Sequence, residues 1–294
     1  MCSRTTASPQ PFRSAPEPGA ARTRACSSTL DIALSRPERL AIAVSGGIDS
    51  LCLSAAAARA RPDRPPVLFH AVSPAVPMAA TARVRAFAAE QGLTLRILDS
   101  GEFDDPRYRA NPVNRCYFCK SNLYGALRRH GKGTEVAAGT NLDDLGDFRP
   151  GLRAAAEHGI LHPFIEAEMT KADVRALARD LGLGALAELP AAPCLASRIE
   201  TGLRVEPADM AMVDAVETAL REELGPGLGT LALRCRRLHT GIAVEIDATL
   251  MATLPAARLE ALGAIARAAS QPHGGADLAL TLRPYRRGSA FVHA

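Results

Sequence analysis

The sequence lacks the long apolar runs of a membrane protein. No uninterrupted apolar stretch among its 294 residues approaches the ~18–20 residues that a membrane-spanning helix needs. It also lacks repeats with a period of about 20–50 residues, which excludes solenoids and propellers. Extended disorder is excluded because 47% of the residues are hydrophobic and only 22% are charged. The length suits one large domain or two modest ones.

Lysine is scarce, and the excess positive charge lies at the two ends of the chain. Only three of the 35 basic residues are lysines, which indicates genomic bias rather than a phosphate-binding strategy. The net charge is +4, to which residues 1–30 and 281–294 each contribute +3, so residues 31–280 carry −2. A slightly acidic body argues against a broad surface for nucleic acid.

The seven cysteines do not form the pattern of a disulfide scaffold. Their number is odd, their spacings are irregular, and no apolar segment of a secretory signal precedes them. We therefore expect a protein of the reducing cytoplasm. Residues 1–30 are rich in Ser, Arg and Pro with a single acid, which predicts a disordered tail rather than a transit peptide.

From residue 39 the chain alternates short apolar runs with longer helical stretches. Continuous apolar strands that alternate with helices predict a parallel sheet with helices on both faces, which is an α/β fold. We expect this domain at 31–194, with an insertion at 101–133, and a smaller α+β domain at 195–294. The predicted strands are 39–44, 67–72, 93–98, 135–138, 231–238, 241–247 and 278–282. The predicted helices are 50–61, 81–91, 170–181, 207–224 and 255–268.

Two of these helices carry start signals. Thr170 and Asp173 have the spacing of a capping box before the third helix. Pro255 suits the first position of the last helix, where its missing N–H costs nothing. Both signals support the predicted boundaries.

A glycine pair joins the first strand to the first helix in the string Ser45-Gly46-Gly47-Ile48-Asp49-Ser50. The glycines let the backbone turn tightly, and the exposed amides, the Ser hydroxyls and the positive helix end form an anion site. The lysine of a Walker loop is missing, and an ordinary tight turn is the alternative interpretation. Asp49 fits an anion site only if a cation such as Mg²⁺ accompanies the phosphates.

A second polar segment follows another strand of the same predicted sheet. It contains Thr140, Asn141 and Asp144. Open α/β sheets bind ligands at the carboxyl ends of their strands, so this position favours a role in the same site. A solvated Asn/Asp turn is the alternative.

The string at 45–50 resembles the PP-loop of ATP pyrophosphatases, which cleave ATP to AMP and pyrophosphate to adenylate a substrate. Over roughly residues 30–290 the chain is similar to the LarE family of ATP-dependent sulfur transferases. The blocks that carry this likeness are 147–153, 166–168, 171–178, 193–198, 234–236 and 285–289. The resemblance implies that ATP binds at the PP-loop and that the enzyme helps to make the nickel-pincer nucleotide of lactate racemase.

The resemblance also implies the chemistry. ATP adenylates a carboxylate of pyridinium-3,5-biscarboxylate mononucleotide, and a sulfur nucleophile then displaces AMP to leave a thiocarboxylate. Adenylation suits this reaction because a carboxylate is a poor electrophile and AMP is a good leaving group. The implied partners are this small nucleotide and a system that resupplies sulfur, and we expect a homo-oligomer.

Cys194 lies in the block that matches the family's sulfur-donor cysteine. Ser197 and Arg198 follow in the same loop, and we expect them to hold a phosphate or carboxylate of the substrate. A thiolate is the one side-chain nucleophile already partly ionised near neutral pH, and we expect Arg198 to favour it. A free cysteine is also commonly a buried small hydrophobe. We adopt that interpretation for Cys52, which lies inside an Ala-rich helix.

Cys116 and Cys119 depart from the family members that have a single cysteine, which gives up its own sulfur and becomes dehydroalanine. With Cys194 they resemble the three-cysteine branch, which holds a [4Fe–4S] cluster and leaves one iron free to carry an extra sulfide. A zinc site and a redox dithiol are the alternatives. A closed zinc site needs a fourth ligand, for which Cys235 is the remaining candidate in the folded region.

Arg234 and Arg236 stand two residues apart on a predicted strand, so both side chains lie on one face. Paired guanidinium groups suit a phosphate monoester, and the family has its phosphate-binding arginines here. Glu217 and Glu245 match acidic family positions that bind metal or position substrate. Plain surface charge is the alternative for all four. Four histidines without ligand spacing are taken as ordinary residues; they are His70, His158, His162 and His239.

Two other function classes fit parts of the sequence. A tRNA thiolase or another PP-loop adenylating enzyme shares the phosphate loop, but a tRNA thiolase needs a basic surface or an RNA-binding unit. An adenine-nucleotide-binding regulatory module with a zinc staple is the second. Steady release of AMP and pyrophosphate with substrate present favours an enzyme, whereas nucleotide binding without turnover favours the module.

Overall fold

The computed structural model of the protein describes residues 18–146, 150–190, 193–225 and 231–286. The residues of the family-like blocks at 147–149 and 287–289 lie outside this part, as do the first 17 residues of the expected tail. An α/β unit comes first along the chain and a smaller α+β unit follows, which confirms the predicted fold class. The boundary at residue 194 stays a prediction.

The α/β unit contains eight helices and four strands among the described residues. In chain order they are α1 (Pro18–Ser35), β1 (Leu40–Ala43), α2 (Ile48–Ala60), β2 (Val67–Val72), α3 (Met78–Glu90), β3 (Leu95–Asp99), α4 (Pro106–Arg109), α5 (Arg115–His130), β4 (Glu135–Ala138), α6 (Pro150–Glu157), α7 (Pro163–Glu166) and α8 (Lys171–Asp180). The second unit contains α9 (Pro207–Leu224), β5 (Leu233–Leu238), β6 (Gly241–Ile246), α10 (Ala248–Thr253), α11 (Ala256–Ser270) and β7 (Leu280–Pro284).

The larger sheet has the strand order β3-β2-β1-β4, and each neighbouring pair is parallel. Successive residues of β1 point to opposite faces: Leu40 and Ile42 join one apolar layer with α2 and α8, and Ala41 joins another with α5 and α6. Burial on both faces explains why the strand is continuously apolar. The carboxyl ends of β1 and β4 lie side by side, at the point where such sheets bind ligands.

Helix α1 corrects the expected disordered tail over residues 18–30. Leu30 and Leu34 are fully buried four residues apart, and Cys26 continues the same stripe one turn earlier. This face packs against α2 and α7. Composition averaged over the whole segment concealed the apolar spacing, because Ser, Arg and Pro outnumber these few core residues.

The second unit is built on the sheet β5-β6-β7, in which β5 and β6 are antiparallel and β6 and β7 are parallel. Helices α9 and α11 pack together over it. Pro255 is the N-cap of α11 rather than its first helical residue. Helices α4 and α5 come from the predicted insertion at 101–133 and share the apolar cluster of the second unit through Tyr108 and Phe118. Within the described residues, no helix is both long and apolar enough to cross a bilayer.

Candidate active site

The loop between β1 and α2 has the backbone of an anion site. Gly46 has a φ of +81°, and a Cβ there would stand 2.8 Å from the carbonyl oxygen of Ala80, so only glycine fits. Gly47 is the N-cap of α2 and carries no side chain to occupy the first amides of the helix. Ser50 Oγ accepts from the Ser45 amide at 3.2 Å and donates to the Gly47 carbonyl at 3.0 Å, which fixes the turn.

Asp49 meets a cation that the sequence reasoning missed. Lys171 Nζ lies 2.5 Å from both carboxylate oxygens of Asp49. Thr170 and Asp173 form the predicted capping box and so place Lys171 at the first residue of α8. One signal was available in the sequence, because Lys171 is one of only three lysines in an arginine-rich chain.

The segment after β4 reaches the phosphate loop. A Cβ on Gly139 would stand 2.7 Å from the backbone of Asp49, so the end of β4 lies directly against the start of α2. Asn141 Nδ2 is 3.4 Å from Asp49 Oδ1. Asn141 and Asp144 also cap the 3-10 turn at 142–145, and Thr140 is half-buried beside them. The segment is therefore both a capped turn and a neighbour of the predicted ATP site.

A buried histidine braces the same loop. His70 Nδ1 is 2.8 Å from the Val44 carbonyl and Nε2 is 2.9 Å from Thr81 Oγ1. Burial lowers the pKa of His70 below its ordinary value, so the ring is neutral near pH 7. Its position is structural, in agreement with the prediction that it is an ordinary residue.

Three of the cysteines come together from distant parts of the chain. Cys116 and Cys119 lie in the first two turns of α5, and Cys194 is the N-cap of the 3-10 turn Leu195–Arg198. The pKa of Cys119 is raised to about 12, mainly by burial, and the charges of Cys194 and Cys116 contribute to this rise. The three thiols therefore lie within electrostatic reach of one another.

This trio does not form the ligand set of a single metal ion. Across the part of the chain that the structure describes, no three His, Cys, Asp or Glu side chains are arranged to hold one ion. Cys235, the fourth candidate, is fully buried in the apolar cluster of the second unit. Cys52 is buried in the core, as predicted, and burial raises its pKa to about 12. The donor chemistry of three thiols still suits an iron–sulfur group.

The buried side chain of Arg198 donates hydrogen bonds to the loop that carries Cys194. Its side chain is 3% exposed and makes a two-point contact with Glu217, Nε to Oε1 at 3.0 Å and Nη2 to Oε2 at 3.1 Å. Nη1 donates to the carbonyl oxygens of Pro193 and Cys194 and to Ser197 Oγ. The charge expected to favour the Cys194 thiolate is thus balanced by Glu217, and the hydrogen bonds position the loop instead.

A second buried pair links the small sheet to this loop. Arg236 Nε donates to Glu245 Oε2 at 3.0 Å, and Nη1 donates to the Ser197 carbonyl at 3.0 Å. Arg283 Nη2 reaches Glu245 Oε1 at 2.8 Å. The alternative of plain surface charge is therefore wrong for Arg236, Glu245 and Glu217, which are all buried. The Glu217 and Glu245 carboxylates accept hydrogen bonds from buried arginines, and their roles toward a metal or the substrate stay predictions.

Arg234 lies near other arginines and near two carboxylates. It lies on the same face of β5 as Arg236, opposite Glu245 in the register of β6, and is half-buried. Burial is the main cause that lowers the pKa of Arg234; the charges of Arg198 and Arg221 act in the same direction, and the charge of Glu217 opposes them. A half-buried guanidinium group is a suitable partner for a phosphate or a carboxylate.

Comparison with known proteins gives relatives over most of the chain, although no family model matches. An uncharacterized protein of Synechocystis is 37% identical over 63% of this chain and 69% of its own. An uncharacterized protein of Methanocaldococcus jannaschii is 28% identical over 71% and 78%. The pyridinium-3,5-bisthiocarboxylic acid mononucleotide synthase of Lactiplantibacillus plantarum is 30% identical over 74% of this chain and 77% of that enzyme. With this identity and coverage, the chain belongs to the LarE family, of which that synthase is a member.

Proposed function

We propose that the protein is an ATP-dependent sulfur transferase that converts a carboxylate of pyridinium-3,5-biscarboxylate mononucleotide into a thiocarboxylate. The observation that carries the proposal is that one segment of the chain contacts both the phosphate loop and the loop that carries Cys194. Gly46 of the phosphate loop packs against the Ala80 carbonyl, and the Leu195 amide beside Cys194 donates to the Ala75 carbonyl at 2.9 Å. One short segment, 75–80, therefore contacts both the loop for ATP and the loop for sulfur.

The first half of the reaction is adenylation. The amides of 45–47 and the N-terminus of α2 bind the phosphates of ATP. A Mg²⁺ ion supplies charge neutralisation on the phosphates, and it needs only one or two protein carboxylates, a requirement that Asp49 meets. Lys171 balances the charge of Asp49 in the free protein. The substrate carboxylate attacks the α-phosphorus, and pyrophosphate leaves.

The second half is attack by sulfur on the acyl adenylate. Cys116, Cys119 and Cys194 would hold a [4Fe–4S] cluster, which supplies an exchangeable sulfide on an iron without a protein ligand. Arg198 and Glu217 hold the Cys194 loop in register with the small sheet. The competing mechanism takes the sulfur from Cys194 itself, which then becomes dehydroalanine.

The small sheet binds the substrate. Arg234 binds its phosphate, because a half-buried guanidinium group near two further arginines, Arg198 and Arg221, suits a phosphate monoester. Arg236 and Glu245 connect this face to the Ser197 carbonyl, so the phosphate contact and the sulfur loop share one rigid support. The substrate carboxylate is thereby directed toward Cys194.

A pair of cysteine variants tests the two halves separately. Cys194→Ala should still release pyrophosphate and form the acyl adenylate with ATP and the biscarboxylate nucleotide, but it should form no thiocarboxylate. Cys52→Ala is the matched control, because it removes the same sulfur atom from the core and should release pyrophosphate and form the thiocarboxylate. Pyrophosphate and AMP are measured by chromatography, and the thiocarboxylate is measured by mass spectrometry. Thiocarboxylate from Cys194→Ala at the wild-type rate, or no AMP from the wild type, would refute the proposal.

A further inference from the structure

Tyr108 has a buried hydroxyl group without an evident purpose in the fold. It is the bulkiest of the fully buried side chains that the structure describes, with 1% exposure, and its ring packs edge-on against Phe103 at 5.3 Å. Its hydroxyl has no hydrogen-bond partner among the described residues. Buried hydroxyls in native proteins are almost always paired, so an unpaired one indicates an absent partner.

The segment that carries Tyr108 is held between the two cysteine-bearing elements. Asp105, the N-cap of α4, accepts from Asn122 Nδ2 of α5 at 2.9 Å. Asn111, just after α4, has a φ of +54° and donates to the carbonyl oxygens of Glu200 and Leu203 at 2.8 and 2.9 Å. Helix α4 is therefore tied to the helix of Cys116 and Cys119 on one side and to the chain after Cys194 on the other.

The Tyr108 side chain lies in the apolar cluster that borders the cysteine-bearing elements. Its ring belongs to the same apolar cluster as Cys119 and Leu195, the residue that follows Cys194. Burial raises the pKa of Tyr108, and the charges of Cys194 and Cys119 act in the same direction. The phenol therefore keeps its proton and is a hydrogen-bond donor.

We propose that the Tyr108 hydroxyl donates a hydrogen bond to the anionic sulfur atom carried at the Cys116–Cys119–Cys194 site. This inference rests on the proposed sulfur-transfer function and adds the residue that recognises the cargo. The donor has no partner in the protein without sulfur and gains one when sulfur is bound, so the contact favours the loaded state. Hydrogen bonds to charged acceptors are the stronger kind, and we expect loss of this one to weaken sulfur binding by about 10-fold or more.

Tyr108→Phe removes only the hydroxyl group, and Tyr117→Phe is its matched control. Tyr117 is the chain neighbour of Cys116, but its hydroxyl donates to Glu157 Oε2 at 2.7 Å on the exposed side of α5. Without iron or sulfide, Tyr108→Phe should unfold at the same temperature as the wild type or higher, because no native hydrogen bond is lost. A clear loss of thermal stability would show a structural partner and would overturn the proposal.

Two experiments then measure sulfur binding, one for sulfide carried by an iron–sulfur cluster and one for sulfur carried as a persulfide on Cys194. In the first, anaerobic protein is loaded with iron and sulfide and its affinity for added inorganic sulfide is measured by equilibrium dialysis. In the second, metal-free protein is treated with glutathione persulfide and the lifetime of the Cys194 persulfide is followed by intact-mass spectrometry. Tyr108→Phe should bind as much iron as the wild type and hold sulfur about 10-fold more weakly, or for a shorter time, in at least one experiment.

The possible outcomes distinguish a failure of the role of Tyr108 from a failure of the proposed sulfur-transfer function. Equal sulfur retention by Tyr108→Phe and the wild type in both experiments would overturn the role of Tyr108 and leave the sulfur-transfer function standing. An equal loss in Tyr117→Phe would also overturn it, because the effect would then not belong to the buried hydroxyl. A wild type that holds sulfur in neither experiment would overturn both the inference and the proposed function.

Discussion

Glu217→Gln should destabilise the protein more than any single change at the surface. Glu217 accepts two hydrogen bonds from the buried Arg198, one from Arg221 at 3.1 Å and one from the Cys235 amide at 3.1 Å. Glutamine would turn an amide toward the guanidinium and leave the charge of Arg198 buried without a counter-ion. Breaking such a pair costs about 3–5 kcal/mol.

Urea unfolding followed by far-ultraviolet circular dichroism measures this cost, since the chain has no tryptophan. At a slope of about 2 kcal/mol per molar, the midpoint should fall by roughly 2 M. Glu223→Gln is the matched control on the same helix, because Glu223 pairs with Arg258 where both side chains are more than a third exposed. Its loss should change the free energy of unfolding by no more than about 1 kcal/mol.

The dependence on pH follows from the same pair. Burial alone would raise the pKa of Glu217, but the charge and hydrogen bonds of Arg198 outweigh it and lower the pKa below the ordinary 4.5. The stability from this carboxylate is therefore fully present above pH 4.5 and is lost as the pH falls through the folded-state pKa. The difference between wild type and Glu217→Gln should shrink in acid.

A double variant separates the loss of a pair from the loss of a charge. Arg198→Met with Glu217→Leu removes both ions and should recover at least about 1.5 kcal/mol of the stability that Glu217→Gln loses. A Glu217→Gln protein as stable as Glu223→Gln, or a double variant weaker than the single one, would refute the assignment of Glu217 as the buried support of the Cys194 loop.

Three further predictions concern the ATP and substrate sites. Asp49→Asn should abolish pyrophosphate release but change the free energy of unfolding by less than about 1 kcal/mol, because its ion pair is about one-third exposed. Gly46→Ala should destabilise by about 1–3 kcal/mol in thermal unfolding, whereas Gly47→Ala, with a φ of −83°, should not. Arg234→Ala should raise the KM for the nucleotide about 10–100-fold at unchanged stability, whereas Arg236→Ala should lower stability, because its buried guanidinium is paired.

For each of these three predictions, one result would contradict the reasoning. Pyrophosphate release by Asp49→Asn at the wild-type rate would remove the carboxylate from the chemistry. Equal stability of the Gly46 and Gly47 variants would contradict the backbone argument. An equal rise in KM for ATP and for the nucleotide in Arg234→Ala would place that arginine in the ATP site instead.

The parts of the fold with local signals were predictable. Strands 67–72 and 135–138 and helix 207–224 have the predicted bounds, since an apolar run or an amphipathic stretch ends at a Gly, Pro or polar residue in each case. The start of α8 was predictable because a capping box depends on residues only three apart. Helix α1 was not, because its few apolar positions gain meaning only when α2 and α7 cover them.

The pairings at the candidate site were beyond local sequence reasoning. Asp49 and Lys171 lie 122 residues apart, and they meet only because α8 packs against α2. Plain surface charge stayed open as an alternative for Arg236 and Glu245, because charge alone does not predict burial, and only the pairing of β5 with β6 brings the two side chains together. The identity of the residues that perform the chemistry stays a prediction.

One measurement tests the central claim most directly. Anaerobic protein is incubated with ATP, Mg²⁺, the biscarboxylate nucleotide and sulfide enriched in a heavy sulfur isotope, and product and protein are both analysed by mass spectrometry. We predict labelled thiocarboxylate in step with AMP, in excess over the protein, with Cys194 intact. Dehydroalanine at Cys194 with one unlabelled sulfur per chain would contradict the cluster mechanism, and AMP without any thiocarboxylate would contradict sulfur transfer itself.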